Sequence, residues 1–204
     1  MWASIAPDLL PFFKFIPHYK EESIHYVARQ IVDLIYLSQR HNLEDQDQFL
    51  NKYFSKKLGV VSHYLADYTC YPHSRRIRCT SGKNSRDHIQ YEKSLNTYLK
   101  DHDFRQVPLE SLDLDIMSYR KMLGQVKDYI SAAIESYEKQ ETTYANDLNY
   151  ALTLNKRVTD GILTCVDPLV ETAIQAKKSS LITIWWAFSK LRRQVCRTTQ
   201  IANI

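Results

Sequence analysis

Residues 48–73 read QFLNKYFSKKLGVVSHYLADYTCYPH. Apolar and aromatic residues recur through this stretch at three- and four-residue steps, which predicts a helix from about Gln48 to Tyr71 with Pro72 stopping it. That helix carries His63 and Asp67 at i and i+4, neighbours on one face, and His73 follows six residues on. Ionisable groups set among Tyr64, Leu65, Tyr68 and Tyr71 cost roughly 2–7 kcal/mol each to bury unless something pairs them. Either each finds its own hydrogen-bonding partner, or one partner, a metal ion, satisfies them all.

Working outward, the same arrangement returns. A helix opening at Ser85 as N-cap and running to about Lys100 carries His88 and Glu92, again at i and i+4. A lone His on an apolar helix is ordinarily a satisfied core residue, and a lone i, i+4 pair is ordinarily a salt bridge. Two such pairs with a further His between them shift the balance towards metal. Imidazole and carboxylate are ligands zinc accepts, and five of them exceed one tetrahedral site, so the count implies more than one ion.

The rest of the chain reads as helix. Ile24, Val27, Ala28, Ile31, Leu34 and Ile35 form a one-sided stripe from about Glu21 to Arg40. Further helices are expected over 112–137, 144–164 and 179–198, about six long ones in all. Residues 74–84, hinged at Gly82, and 101–111 read as loops. Only four Gly and six Pro leave little punctuation for short strands, so the fold class is all-α, a compact multi-helix bundle. At 204 residues without a linker or repeat, the chain is expected to be a single domain over 1–204.

Net charge of +4 is too mild to imply nucleic acid, and no specific nucleic-acid partner is predicted. The charge is uneven: the chain after Glu171 is +6 and the remainder −2. No signal peptide is seen, since the N-terminal stretch lacks a basic start and carries Asp8 among prolines. The longest apolar run, LITIWWAF at 181–188, is far below the ~18 residues of a spanning helix. The expected location is cytoplasmic, with membrane-peripheral contact through the basic, Trp-containing C-terminal helix as the variant. The competing reading of that segment is the last core helix with a solvated basic end. Cys70, Cys79, Cys165 and Cys196 form no disulfide framework, and a Cys70–Cys79 pair is expected only in an exported chain.

The ordered set His63-x-x-x-Asp67, His73, His88-x-x-x-Glu92 resembles the zinc-dependent phospholipase C family of helical bacterial enzymes, whose fold is shared by the fungal zinc single-strand nucleases. The resemblance implies His63 and Asp67 on one zinc, with Asp67 as bridging carboxylate, and His73, His88 and Glu92 on another. Smaller members carry a small-x-Ala-Pro-Asp segment followed by a His before a helix. SIAPD at 4–8 and PHYKEES at 17–23 are similar to that pair, so Asp8 and His18 are the upstream metal ligands it implies, with His25 the alternative to His18. His41 and His102, in polar loops, are taken as solvated.

Exported members begin with a Trp whose amino group and carbonyl bind a third zinc. Here Trp2 follows Met1, so two ions are expected and the third site is absent or differently built. The implied activity is zinc-dependent hydrolysis of a phosphodiester such as a phospholipid. Asp8 orients the attacking water or takes its proton, and phosphomonoester and alcohol are released. Two alternatives stand beside it: a non-catalytic, metal-stabilised helical domain, and nuclease- or nucleotidase-type hydrolysis on the same cluster.

Overall fold

The computed structural model describes residues 6–40, 48–77, 82–114 and 118–164. Among them are seven α-helices and no strand: α1 (Ala6–Leu9), α2 (Lys20–Arg40), α3 (Gln48–Tyr68), α4 (Tyr71–Ser74), α5 (Gly82–Tyr98), α6 (Tyr119–Glu138) and α7 (Tyr144–Thr164). A 3-10 turn at Pro11–Phe15 links α1 to the segment before α2. The all-α expectation holds. The helix expected over 179–198, with the basic Trp-containing patch, lies outside the described residues, as do Trp2, His41 and Cys79.

α2, α3, α6 and α7 pack around one core. The apolar stripe of α2 is inward as its spacing requires, with Val27, Ala28, Ile31, Leu34 and Ile35 fully buried. Glu21 and Glu22 occupy its first turn, where the helix dipole favours negative charge. α3 contributes Phe54, Val61, Tyr64, Leu65 and Tyr68, and α6 contributes Met122, Val126, Ile130 and Ile134. Each of these side chains is worth roughly 1.5–3 kcal/mol relative to exposure. α7 is covered on several sides, burying Tyr150, Leu154, Val158 and Ile162 on one stripe and Asp147, Thr153 and Asn155 beside it. Thr143 caps it, its Oγ1 accepting the Asn146 N–H at 3.1 Å.

Several boundaries differ from expectation, each for a local reason. α3 ends at Tyr68, three residues early, and the Thr69 hydroxyl donates back to the Ala66 carbonyl at 3.1 Å. The chain then re-enters helix for one turn, α4, with Pro72 at its start where a missing N–H does no harm. Gly82 begins α5 instead of hinging a loop, which places Ser85 inside the helix and not at its cap. The sixth helix starts at Tyr119, not Leu112. Residues 101–114 instead run without helix across α7, burying Leu109 and Leu112. The Arg105 N–H donates to Asn149 Oδ1 and the Val107 N–H to Thr153 Oγ1. Side chains of α7 thus take the backbone donors that a helix would have satisfied internally.

His102 belongs to this strap and corrects the expectation that it is solvated. It is half-buried, with Nε2 2.9 Å from Asn149 Oδ1 and its ring against Phe104 and Tyr98.

Candidate metal centre

Five elements meet at one end of α3. The segment before α2 brings His18, α1 brings Asp8, α3 brings His63 and Asp67, and α4 with α5 brings His73, His88 and Glu92. Asp8, His18 and His63 present one ligand atom each within 4.8 Å of one another, and so do His73, His88 and Glu92. All seven residues singled out in the sequence therefore lie in or against these two groups. His25 lies in neither and is exposed on α2.

In the first group, Asp67 Oδ2 is 2.7 Å from His18 Nδ1 and 3.1 Å from His63 Nε2. The two imidazole nitrogens are 3.2 Å apart. Asp8 Oδ1 is more distant, 3.5 Å from His63 Nε2 and 3.8 Å from His18 Nδ1. Burial separates the two carboxylates sharply: the Asp67 side chain is 3% exposed and that of Asp8 39%. Burial alone would raise the Asp67 carboxyl. The charges of His63 and His73, with hydrogen bonds from His18 and His63, outweigh it and hold Asp67 well below the usual carboxylate range.

Under this group lies an aromatic floor. Tyr64 packs against both the His18 and His63 rings and donates its hydroxyl to the Ile16 carbonyl at 3.1 Å, which ties the His18 segment down onto α3. Tyr68 shares a 2.7 Å hydrogen bond with Ser23 Oγ, which pins the start of α2 to α3.

The second group is an equilateral triangle. His73 Nε2, His88 Nε2 and Glu92 Oε1 are each 3.3 Å from the other two. His88 Nδ1–H donates to the Ile77 carbonyl at 3.2 Å, leaving Nε2 as the lone-pair nitrogen turned into the group. Arg76 makes this possible: it adopts a left-handed φ of 52°, turning the chain directly before Ile77, and its guanidinium pairs with Glu21 at 2.7 Å. The His88 imidazole is raised, first by its hydrogen bond to Glu92, with burial opposing. The His18 and His73 rings lie 6.0 Å apart at 28°, so the two groups are neighbours. Asp67 acts electrostatically on both His73 and His88.

The donor set fits zinc in kind and in spacing. Tetrahedral ligands at ~2.0–2.1 Å from zinc stand about 3.3 Å from one another. The second triangle has that edge on all three sides, and the first group brackets it. Four buried or half-buried imidazole nitrogens, two in each group, would otherwise crowd lone pairs against one another and against carboxylates.

A helical bundle presenting two adjacent imidazole–carboxylate groups is the architecture of a helical metal-binding protein. The family model for zinc-dependent phospholipase C matches residues 1–151, and the chain belongs to that family. No curated protein and no solved structure matches it. Within the described residues, no helix is long and apolar enough to cross a membrane.

Proposed function

We propose that this chain is a zinc-dependent phosphodiesterase of the phospholipase C type, hydrolysing a phospholipid at phosphorus. The observation that carries the reading is the second triangle, whose three equal 3.3 Å edges match tetrahedral zinc, set beside a first group of the same chemistry. Asp8, His18, His63 and Asp67 would hold one ion and His73, His88 and Glu92 another, with Asp67 as the carboxylate shared between the groups.

Bound zinc supplies Lewis acidity that polarises a phosphodiester and makes water more acidic. The protein residues divide the remaining work by burial. Asp67, buried and held ionised by its histidines, is suited to hold charge and not to exchange protons. Asp8 is the more exposed carboxylate and stands at the edge of the group with Oδ1 towards the histidines, so its other oxygen is the one left to accept the proton of the attacking water. The bond that forms is water oxygen to phosphorus. The bond that breaks is phosphorus to the diacylglycerol oxygen, which takes a proton from solvent. A phosphorylated head group and diacylglycerol leave. His88, its outer nitrogen tied to Ile77, and His63, against Tyr64, keep fixed ring orientations throughout.

The test is zinc content by elemental mass spectrometry on untagged protein, beside His88→Ala and Asp8→Asn, followed by turnover of phosphatidylcholine vesicles and of a nucleotide diester. Two zincs per chain, one in His88→Ala, and lipid hydrolysis reduced about 10²-fold or more in Asp8→Asn at near-normal zinc content support the reading. Turnover of the nucleotide diester alone would move the substrate to nucleic acid. Full zinc with no turnover of either would leave a metal-stabilised domain.

A further inference from the structure

Asp147 belongs to neither ligand group, yet it is 1% exposed and sits in the first turn of α7 among apolar neighbours. Its two oxygens have different partners. Oδ1 accepts the Tyr137 hydroxyl of α6 at 2.7 Å. Oδ2 accepts both the Tyr71 backbone N–H at 3.1 Å and the Tyr91 hydroxyl at 2.8 Å. Tyr71 is the first residue of α4, the single turn that carries His73. Tyr91 lies on α5 between His88 and Glu92.

Both elements need an outside anchor. α4 is four residues long, and the N–H of its first residue, Tyr71, is one of those that a helix start leaves without an intrahelical acceptor. α5 spans 17 residues but buries only His88 and Leu95, so little apolar surface holds it in place. The Tyr91 ring packs against Tyr71 and Tyr144 at 5.4 and 5.0 Å between centroids, which aims its hydroxyl at Asp147. One buried oxygen thus joins the element bearing His73 to the element bearing His88 and Glu92. An apolar residue of similar volume would serve stability as well or better, because a buried carboxylate carries a desolvation cost.

We propose that Asp147 is a positioning residue for the second zinc, its Oδ2 setting His73 against His88 and Glu92 through Tyr71 and Tyr91. This rests on the zinc reading of that triangle. A loose triangle would bind its ion weakly while the first group, built on α3 and the segment before α2, kept its own.

The experiment is chelator competition for zinc on the full chain, with His63→Ala and His88→Ala assigning the two affinities, applied to Asp147→Ala, Asp147→Asn, Tyr91→Phe and Tyr137→Phe. Asp147→Ala and Tyr91→Phe should weaken the second ion about tenfold or more and leave the first unchanged. Asp147→Asn retains an oxygen for Tyr71 and Tyr91 and can turn its amide to the Tyr137 oxygen, so it should hold the second ion nearly as the parent does. Tyr137→Phe removes the Oδ1 partner and the Tyr137 hydroxyl's bond to Ser74 but leaves the Oδ2 link between Tyr71 and Tyr91 intact, so it should lower the melting temperature and leave the second ion's affinity as it was.

Unchanged second-ion affinity in Tyr91→Phe would overturn the inference, and so would equal weakening in Tyr91→Phe and Tyr137→Phe, which would mark a general loss of stability. Should Asp147→Ala fail to fold, Tyr91→Phe decides. A parent protein that binds no zinc overturns the functional reading and this inference with it. A parent with two ions that Tyr91→Phe does not perturb overturns this inference alone.

Discussion

Asp67 shows how much one buried side chain organises here. Its Oδ2 meets two imidazoles within 3.1 Å, and its charge reaches His73 as well. On the proposed zinc reading, Asp67→Ala therefore removes a ligand oxygen and leaves His18 and His63 facing each other with only the more exposed Asp8, 3.5–3.8 Å away, as counter-charge. The expected outcome is loss of the first zinc and a stability loss of about 3–5 kcal/mol, measured by denaturant unfolding. Tyr68, one residue on, serves the fold and not the metal. Tyr68→Phe should cost about 1 kcal/mol through its hydrogen bond to Ser23 and leave zinc content as it was. A fall in zinc content in that variant would show that the start of α2 helps place His18.

At the scale of the helices, α7 packs against α2, α3 and α6, and Gly161 is where the 101–114 strap comes closest to its backbone at a glycine. A Cβ there would stand 2.8 Å from the Leu112 carbonyl oxygen and 3.0 Å from the Leu112 Cβ. Gly161→Ala should destabilise by about 1–3 kcal/mol in a urea titration, because the 101–114 strap has to move off the helix. The helix periods of α2, α3 and α7 were legible in the sequence, and Tyr144–Thr164 falls where expected because Thr143 supplies a local cap. The start of α6 was not legible. Leu109 and Leu112 fit a helical pattern as well as an extended one, and only the acceptors Asn149 and Thr153 on α7 decide for the extended form.

For the whole molecule, zinc bound as proposed would make metal and fold one equilibrium. The ligand atoms come from five elements spread between residues 8 and 92, so the intact site exists only in the folded chain. Zinc that binds only the folded form stabilises it by RT ln(1 + [Zn]/Kd), about 4 kcal/mol at a thousandfold excess over Kd. Chelation should thus lower the melting temperature, and added free zinc should restore it in a concentration-dependent way. Calorimetry with and without EDTA checks this. An unchanged midpoint would mean that the histidines are satisfied by the core without an ion.

The i, i+4 pairs His63/Asp67 and His88/Glu92 were determined by the sequence, since a helix period of 3.6 places those side chains on one face whatever surrounds them. The same period set the apolar stripes and hence the all-helical fold. Asp147 left a trace there too, as a carboxylate beside the stripe of Tyr150, Leu154 and Val158, but spacing could not tell what it would bind. Only the tertiary structure brought Asp8 and His18 to His63, chose His18 over His25, closed the His73 triangle and gave Asp147 its partners on three other helices. Those contacts join residues from 10 to 76 positions apart, where no local periodicity acts and only the packing of helix against helix sets the distance.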